Sequence, residues 1–402
     1  MSTQPATIDV SASSSPTSAT GRISRRLVLL LAASTGLTVA NLYYAQPLLQ
    51  TIAHQFHTGS ATAGLIVTFT QVGYATAQLF LVPVGDFVPR RVLVPAILAL
   101  EVVALVLAGL SPNMTVLISV AGLVGLSSAA AQILVPFAAQ LASPNERGRV
   151  VGIVTSGLLL GILLARTVAG IVADLSSWRV VYLGAAGITL ILALVLYRNL
   201  PSEGHRPGVR YHDLLVSMAH LARTEPVLRR RAAYGALGFA AFSVFWTTAA
   251  FLLSRSPYHY SQTVIGLFGL VGAAGALCAI WAGRLSDSGL TRVGTGGFAA
   301  AILASFGLLE LGGHSLAALI AGIVILDVGV QGLHVLNQST IFTLGEETRS
   351  RINGIYITVY FLGGAAGSAA SAWLYDMAGW SAVCTLGACI GVAALLLWLT
   401  EQ

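Results

Sequence analysis

Arg147-Gly148-Arg149-Val150-Val151-Gly152-Ile153 returns as Arg349-Ser350-Arg351-Ile352-Asn353-Gly354-Ile355, 202 positions downstream in a chain of 402 residues. The same shift lays Gly161 on Gly363, Asp174 on Asp376 and Trp178 on Trp380; a shift of 201 lays Asp86 on Asp287. One unit is therefore written twice, with a period of half the chain. Duplication on this scale in an apolar chain predicts two look-alike membrane bundles with any binding site between them.

Composition sets the medium. At 56% hydrophobic and 9% charged residues, with mean hydropathy +0.82, the chain lies far from water-soluble globules, which carry about 25% charged residues. Apolar runs long enough to cross about 30 Å of hydrocarbon, roughly 20 residues each, recur along almost its whole length. Twelve are read: 27–50, 62–84, 92–110, 113–141, 149–173, 179–198, 231–253, 262–285, 293–313, 315–343, 351–374 and 379–400. Runs of this length argue for helices, because a barrel strand alternates and needs only about ten residues. The expected fold is an all-α membrane protein of twelve transmembrane helices in two pseudo-symmetric six-helix bundles, 25–198 and 231–402. A linker at 199–230 joins them, and a Ser-, Thr- and Ala-rich tail at 1–24 is expected to be disordered.

All 21 basic residues are arginine, and their placement explains the net charge of +6. Arg22, Arg25 and Arg26 precede the first span. Arg90 and Arg91, Arg147 and Arg149, Arg284 and Arg292, and Arg349 and Arg351 fall in alternate loops, and seven more fill the central linker. Only Arg179 and Arg255 lie on the opposite side. The positive-inside rule puts the arginine-rich side and both termini in the cytoplasm. The charge is an orientation signal and not a nucleic-acid footprint. Cys278, Cys384 and Cys389 sit in apolar runs with neither disulfide nor metal spacing. Within the linker, 201–208 reads as coil, while Tyr211 to Leu221 carries Leu214, Leu215 and Met218 on one face, as a helix lying along the membrane surface would.

Two six-span halves, a basic linker and a repeated acid-arginine turn resemble the major facilitator superfamily, most nearly its twelve-span bacterial drug:proton antiporters and sugar-efflux permeases, over about residues 25–400. The family's loop motif is a glycine, an acid four positions on, a second glycine, then basic residues. In the first copy Asp86, Arg90 and Arg91 match, with Val82 and Pro89 in place of the glycines; the second copy keeps Gly283, Asp287 and Arg292. By resemblance, Asp86, Arg90 and Arg91 latch the cytoplasmic side by charge pairing between the halves, with Glu146, Arg147, Arg349 and Arg351 nearby. Two further family patterns are degraded: Ala121 stands where span four usually has an arginine, and Ile162 replaces the proline after Gly157 and Gly161 in span five. Gly157 and Gly161, like Gly363 and Gly367 in the second copy, still let helix backbones approach closely. The resemblance further implies a multi-pass protein of the bacterial inner membrane, working as a monomer.

Charges within a bilayer cost at least about 2.5–3.5 kcal/mol each, so each needs a reason. Glu101, Arg166 and Asp327 are deep. Asp327 lies about 12 residues, roughly 18 Å, from one end of its span, close to the midplane. Asp327, Gln331, His334 and Gln338 form one helical stripe bordered by Asn337. By resemblance, spans one, four, seven and ten line a central cavity, so this stripe faces substrate; interhelical hydrogen bonding is the other reading. Arg166 stays protonated and is read as a fixed charge serving Glu101, Asp327 or an anionic substrate group, a choice left open. Asp327, Glu101 and His334 are the proton-coupling candidates, the histidine because its unperturbed pKa lies nearest neutrality. Asn41, Tyr44 and Gln46 in span one, Gln71, Tyr74 and Gln78 in span two, Gln132 in span four, Trp246 in span seven, and Tyr356 and Tyr360 in span eleven complete a lining suited to a small, partly apolar organic molecule.

With no lysine there is no P-loop, and no catalytic or metal-binding constellation appears, so neither an enzyme nor a cofactor is expected. Work must come from an ion gradient. One proton moving down 100 mV and one pH unit supplies roughly 3.7 kcal/mol, enough for a substrate gradient of roughly 500-fold. The expectation is a proton-coupled secondary transporter exporting a small organic molecule by alternating access. A facilitator or importer is the rival reading, and a transport-inactive membrane sensor the rival from another class.

Overall fold

Wherever hydropathy is high the chain is helical, because a backbone in hydrocarbon has no water to satisfy its N–H and C=O groups. The computed structural model describes residues 23–201, 210–346 and 348–401, and among them there is no strand. Most of the expected tail, and residues 202–209 of the expected coil, lie outside the described residues. Among the described residues, nine helical stretches are long and apolar enough to cross a membrane. The last of them, Arg349–Leu399, is two spans divided at Gly379, whose φ of +74° is one that glycine adopts without strain. The two remaining crossings, spans one and eight, are built from shorter helices, and twelve result among the described residues, as the hydropathy predicts.

Span one departs from its expected course. Its helix Arg25–Ala40 stops short of the proline; a turn follows, then a 3-10 helix Gln46–Leu48 and a closing segment Leu49–Gln55. Pro47 sits at the start of that 3-10 helix, where its missing N–H leaves no bond unmade. Span two is Ser60–Phe80, span three Arg90–Gly109, span four Met114–Ser127 with Ala130–Leu141, span five Arg147–Leu175 and span six Trp178–Asn199. A linker helix, Tyr211–Thr224, precedes span seven, Pro226–Leu253. Span eight is Gln262–Val271 with Ala273–Asp287, span nine Thr291–Leu311 and span ten Leu316–Ile341. The duplication reaches the helix caps. Asn113 and Ser315, 202 positions apart, each accept a hydrogen bond from the backbone three residues on, at 3.0 and 3.4 Å, and so start spans four and ten.

Within each half, equivalent glycines join equivalent helices. Gly157 and Gly161 press span five onto Ala32 and Gly36 of span one; Gly363 and Gly367 press span eleven onto Ala236 and Ala240 of span seven. In each case a Cβ would strike the opposing backbone, so small residues set the interhelical distance.

The halves meet through spans two and eleven and through spans five and eight. Thr68 donates to Ser368 at 3.2 Å and Gln71 to Ser243 at 3.0 Å, while Thr167 donates to the carbonyl of Gly266 at 3.1 Å. At the end away from the arginine-rich loops, Asp174 accepts from the backbone N–H groups of Gln262 and Thr263 at 3.2 and 2.7 Å. Asp376 accepts from the backbone N–H and hydroxyl of Ser60 at 3.1 and 2.9 Å. Along span eight, Gln262–Val271 packs on span five, whereas Ala273–Asp287 packs on span ten. Spans five and eight are thus pinched together at the far end and part toward the basic end. There the linker helix buries Leu214 and Met218. Its Tyr211 hydroxyl donates to the carbonyl of Phe80, at 2.8 Å, and Arg351 donates to its Ser217, at 2.5 Å, so it touches both halves.

Candidate functional site

A cavity of about 200 Å³ lies where the halves meet. Its polar wall is built from three spans. Span ten carries Asp327, which is only 6% exposed. Span eight approaches it with Gly272, where a Cβ would strike the carboxylate itself, and with Gly275, where a Cβ would strike the backbone of Asp327, so the first glycine makes room for the carboxylate and the second lets the two helices approach. From span seven, the Trp246 indole N–H donates to Asp327 Oδ1 at 3.3 Å. That is the hydrogen bond a buried carboxylate needs if it is not to be left unpaired.

Arg166 enters from span five and is 3% exposed. Its Nε donates to Gln46 Oε1 at 2.6 Å. Its guanidinium carbon stands 4.2 Å from the ring centre of Trp246, 4.9 Å from that of Tyr43 and 5.6 Å from that of Phe242. A planar, weakly hydrated cation suits such faces, which attract it through their quadrupoles. Trp246 therefore contacts both charges, Arg166 through its face and Asp327 through its N–H. No ion pair within 4.0 Å joins Arg166 to either acid among the described residues, and Arg166 Nη2 has no hydrogen-bond partner.

Glu101 belongs elsewhere. It is fully buried, and its Oε1 accepts from Asn41 Nδ2 and from the Ser128 hydroxyl, each at 2.8 Å. That carboxylate ties spans one, three and four together, which removes the Arg166–Glu101 pair from the alternatives left open above. Asn41 is accordingly a partner of Glu101 and not a lining residue.

The remaining candidates divide between cavity and packing. Tyr74, Gln132, Gln331, His334 and Tyr360 line the cavity with Asp327 and Arg166. Gln132 donates to the Tyr74 hydroxyl at 3.0 Å, and His334 Nδ1 lies 3.0 Å from the Tyr356 hydroxyl. Tyr44 is a correction. The turn after Ala40 rotates the chain so that Tyr43 faces Arg166 and lines the cavity, while Tyr44 packs among apolar side chains. Gln71 serves the interface between the halves, Gln78 and Asn337 are buried, and Gln338 donates to Asn353 at 3.3 Å. The stripe on span ten is therefore cavity lining only from Asp327 to His334.

Sequence reasoning missed an aromatic wall formed by Tyr43, Phe239, Phe242 and Phe361. Phe239 stacks on Tyr360 at 4.2 Å between ring centres, and Phe361 lies 4.3 Å from Tyr74. Phe239, Phe242 and Trp246 do share one helical face, but in an apolar span that spacing gives no contrast.

At the basic end, Arg90 Nη2 lies 4.0 Å from Asp86 Oδ1, with its guanidinium over Phe137; Arg91 stands beside it on the first turn of span three. Arg147 donates to the Ala139 carbonyl at 3.1 Å, Glu146 accepts from Ser143 at 3.1 Å, and Arg349 donates to the Phe342 carbonyl at 3.3 Å. Arg292 lies over Trp398, Asp287 closes the span-eight helix, and a Cβ on Gly283 would meet nothing.

Comparison with known proteins agrees with this architecture. Residues 29–348 match the family model described as Major Facilitator Superfamily. The protein named "Uncharacterized transporter YgaY" of Escherichia coli O157:H7 is 46% identical over 376 residues, covering 94% of this chain and 95% of the relative. The protein named "Probable transporter SCO4007" of Streptomyces coelicolor is 34% identical over 371 residues, covering 91% of this chain and 85% of the relative. Among solved structures, a POT family transporter in complex with a thioalcohol-conjugated peptide superposes with a TM-score of 0.72 at 14% identity, over 93% of this chain and 95% of that one. At that identity the likeness speaks for the fold alone.

Proposed function

This chain belongs to the Major Facilitator Superfamily and is a membrane transporter, and from that premise we propose that it is a secondary transporter of a small, partly apolar organic molecule, coupled to protons. It alternates access between two compartments by rocking one half against the other around the central cavity. Asp327 takes and releases the proton. One observation carries this reading: a carboxylate buried in the cavity wall that, among the described residues, has no ion-pair partner within 4.0 Å and is held by one indole N–H. A permanently ionised acid so placed would be costly, whereas one that gains and loses a proton as access alternates is neutral for part of each cycle.

The family resemblance supports the arginine-rich end as cytoplasmic, in an inner membrane, with the turn from Asp86 to Arg91 as its latch. The pinched far end and the parting of spans five and eight support a state closed to the outside. Export, the direction expected from the sequence, requires substrate and proton to exclude one another at Asp327; uptake requires them to share the cavity.

Proteoliposomes carrying an imposed pH gradient test the reading. The wild-type protein accumulates substrate against its gradient. Asp327→Asn retains exchange of substrate for substrate and loses pH-driven accumulation at least tenfold. Full pH-driven accumulation by that variant would assign the coupling elsewhere.

A further inference from the structure

The cavity holds one charge that never changes and one that does. Arg166 stays cationic; Asp327 is anionic or neutral according to its proton. Among the described residues, the other titratable groups lining the cavity with Asp327 and Arg166 are Tyr43 from span one, Tyr74 from span two and Tyr360 from span eleven, with His334 two turns away on Asp327's own helix. With Asp327 ionised, the two formal charges cancel. With Asp327 protonated, one positive charge is left in an apolar wall of Tyr43, Phe242 and Trp246, where an unbalanced charge is costly.

Arg166 is also held in an incomplete way. Gln46 takes Nε and three aromatic faces fix the plane of the guanidinium, but no carboxylate closes the fork, and Nη2 has no partner among the described residues. A guanidinium held by neutral groups, with Nη2 uncommitted, is prepared for a further, anionic acceptor.

We infer that the substrate is an organic monoanion, a carboxylate on a small aromatic body, whose charged group closes on Arg166 while its ring lies against Tyr74, Phe239, Phe242, Tyr360 and Phe361. This deepens the proton-coupled reading above and rests on Asp327 as the proton carrier. The anion enters when Asp327 is protonated, because only then does it bring the cavity to neutrality. Proton and anion therefore share the cavity: one proton and one anion cross together, no net charge moves, and an inward proton gradient drives uptake in place of the export expected from the sequence.

Calorimetry on the full chain in lipid nanodiscs tests this with three probes of one shape: 2-naphthoate, 2-naphthamide and 2-naphthylmethylammonium. The carboxylate binds at least tenfold more tightly than the amide, and the ammonium most weakly. In weakly buffered solution, binding of 2-naphthoate takes up protons, and its affinity falls as pH rises through the titration of Asp327. Asp327→Asn binds 2-naphthoate without proton uptake and with a flat pH dependence. Arg166→Gln brings carboxylate and amide to equal affinity, whereas Arg166→Lys keeps the preference for the anion. Equal affinity for the three probes in the wild-type protein, or none for the carboxylate, overturns the inference; that comparison needs no variant to fold. Carboxylate preference without proton uptake, together with failure of a pH gradient to drive transport, overturns the coupling at Asp327 and leaves the substrate class standing. Transport driven by a pH gradient, without carboxylate preference, does the reverse.

Discussion

Asp174 and Asp376, 202 positions apart, each cap the first turn of a helix in the opposite half, and the two capped positions, Gln262 and Ser60, are themselves 202 apart. The pseudo-symmetry of the chain thus extends to a pair of reciprocal contacts. Each carboxylate sits where the exposed N–H groups and dipole of a helix N-terminus favour negative charge. Gly59 makes one of them possible, because a Cβ there would meet the Asp376 carboxylate at 2.8 Å.

Both carboxylates are solvent-exposed, so each contact stabilises the closed far end by roughly 1 kcal/mol. Replacing both by alanine is expected to raise the open population about thirtyfold, and each single change about fivefold. Cysteine accessibility measures this. Val39→Cys, in the cavity wall, is placed in a background lacking Cys278, Cys384 and Cys389 and labelled with a membrane-impermeant maleimide from the far side. The rate should rise in the same order, and the variants should differ from the wild-type protein more at low salt than at high salt. An unchanged rate in the double variant would show that the close packing of spans two and eleven holds the far end by itself.

What the sequence yields here depends on contrast against an apolar background. The repeat, the crossings and the depth of Asp327 are legible because charge, glycine and tryptophan stand out in a hydrophobic chain. The aromatic wall is not, since Phe239 and Phe242 look like any other membrane side chain. Tyr43 and Tyr44 could be told apart only by knowing that the helix stops at Ala40, which shifts the phase of everything up to Leu49. The reciprocal caps were half visible. Asp174 and Asp376 align in the repeat, but their partners are backbone N–H groups, which leave no side-chain signature. The partner of Arg166 was unreadable for another reason: a long side chain at mid-depth reaches several helices, and Gln46 and Trp246 won by geometry.

Glu101 is a proton-coupling candidate in the sequence, and in the fold its carboxylate ties spans one, three and four together. Two donors, Asn41 and Ser128, converge on one oxygen. Glu101→Gln keeps an acceptor there and is expected to retain pH-driven transport within about twofold. Glu101→Ala leaves the Asn41 amide buried without its acceptor, while the Ser128 hydroxyl keeps the Val124 carbonyl at 2.8 Å, and should cost roughly 1–3 kcal/mol, read as a lower melting temperature in detergent. Loss of pH-driven transport in the glutamine variant, at unchanged melting temperature, would restore Glu101 to the coupling mechanism.

Glycine offers a matched pair on a single helix. At Gly161 a Cβ would strike the backbone of Gly36, whereas at Gly152 it would meet nothing within 4 Å. Gly161→Val therefore has to push spans one and five apart, and overpacking of this kind typically costs about 1–3 kcal/mol. Gly152→Ala should be neutral or stabilise by up to about 1 kcal/mol through helix propensity. Thermal melting followed by size-exclusion profile checks both. Equal behaviour of the two variants would mean that spans one and five are not held at glycine-to-glycine distance in solution.

Trp246 makes two contacts that substitution can separate. Its N–H serves Asp327 and its face serves Arg166. Trp246→Phe and Trp246→Leu both remove the donor, so whatever differs between them reports the ring. A ring under a desolvated guanidinium is worth up to about 2 kcal/mol, and part of that is positional: an arginine already fixed in plane loses less freedom when an anion arrives. The phenylalanine variant is therefore expected to bind 2-naphthoate a few-fold less tightly than wild type, and the leucine variant at least tenfold less tightly. Combining leucine with Arg166→Lys should cost little more than Arg166→Lys alone, because an ammonium does not use the face in the same way. If the phenylalanine and leucine variants bind alike, Gln46 and Tyr43 suffice to hold Arg166, and Trp246 matters only as the donor to Asp327.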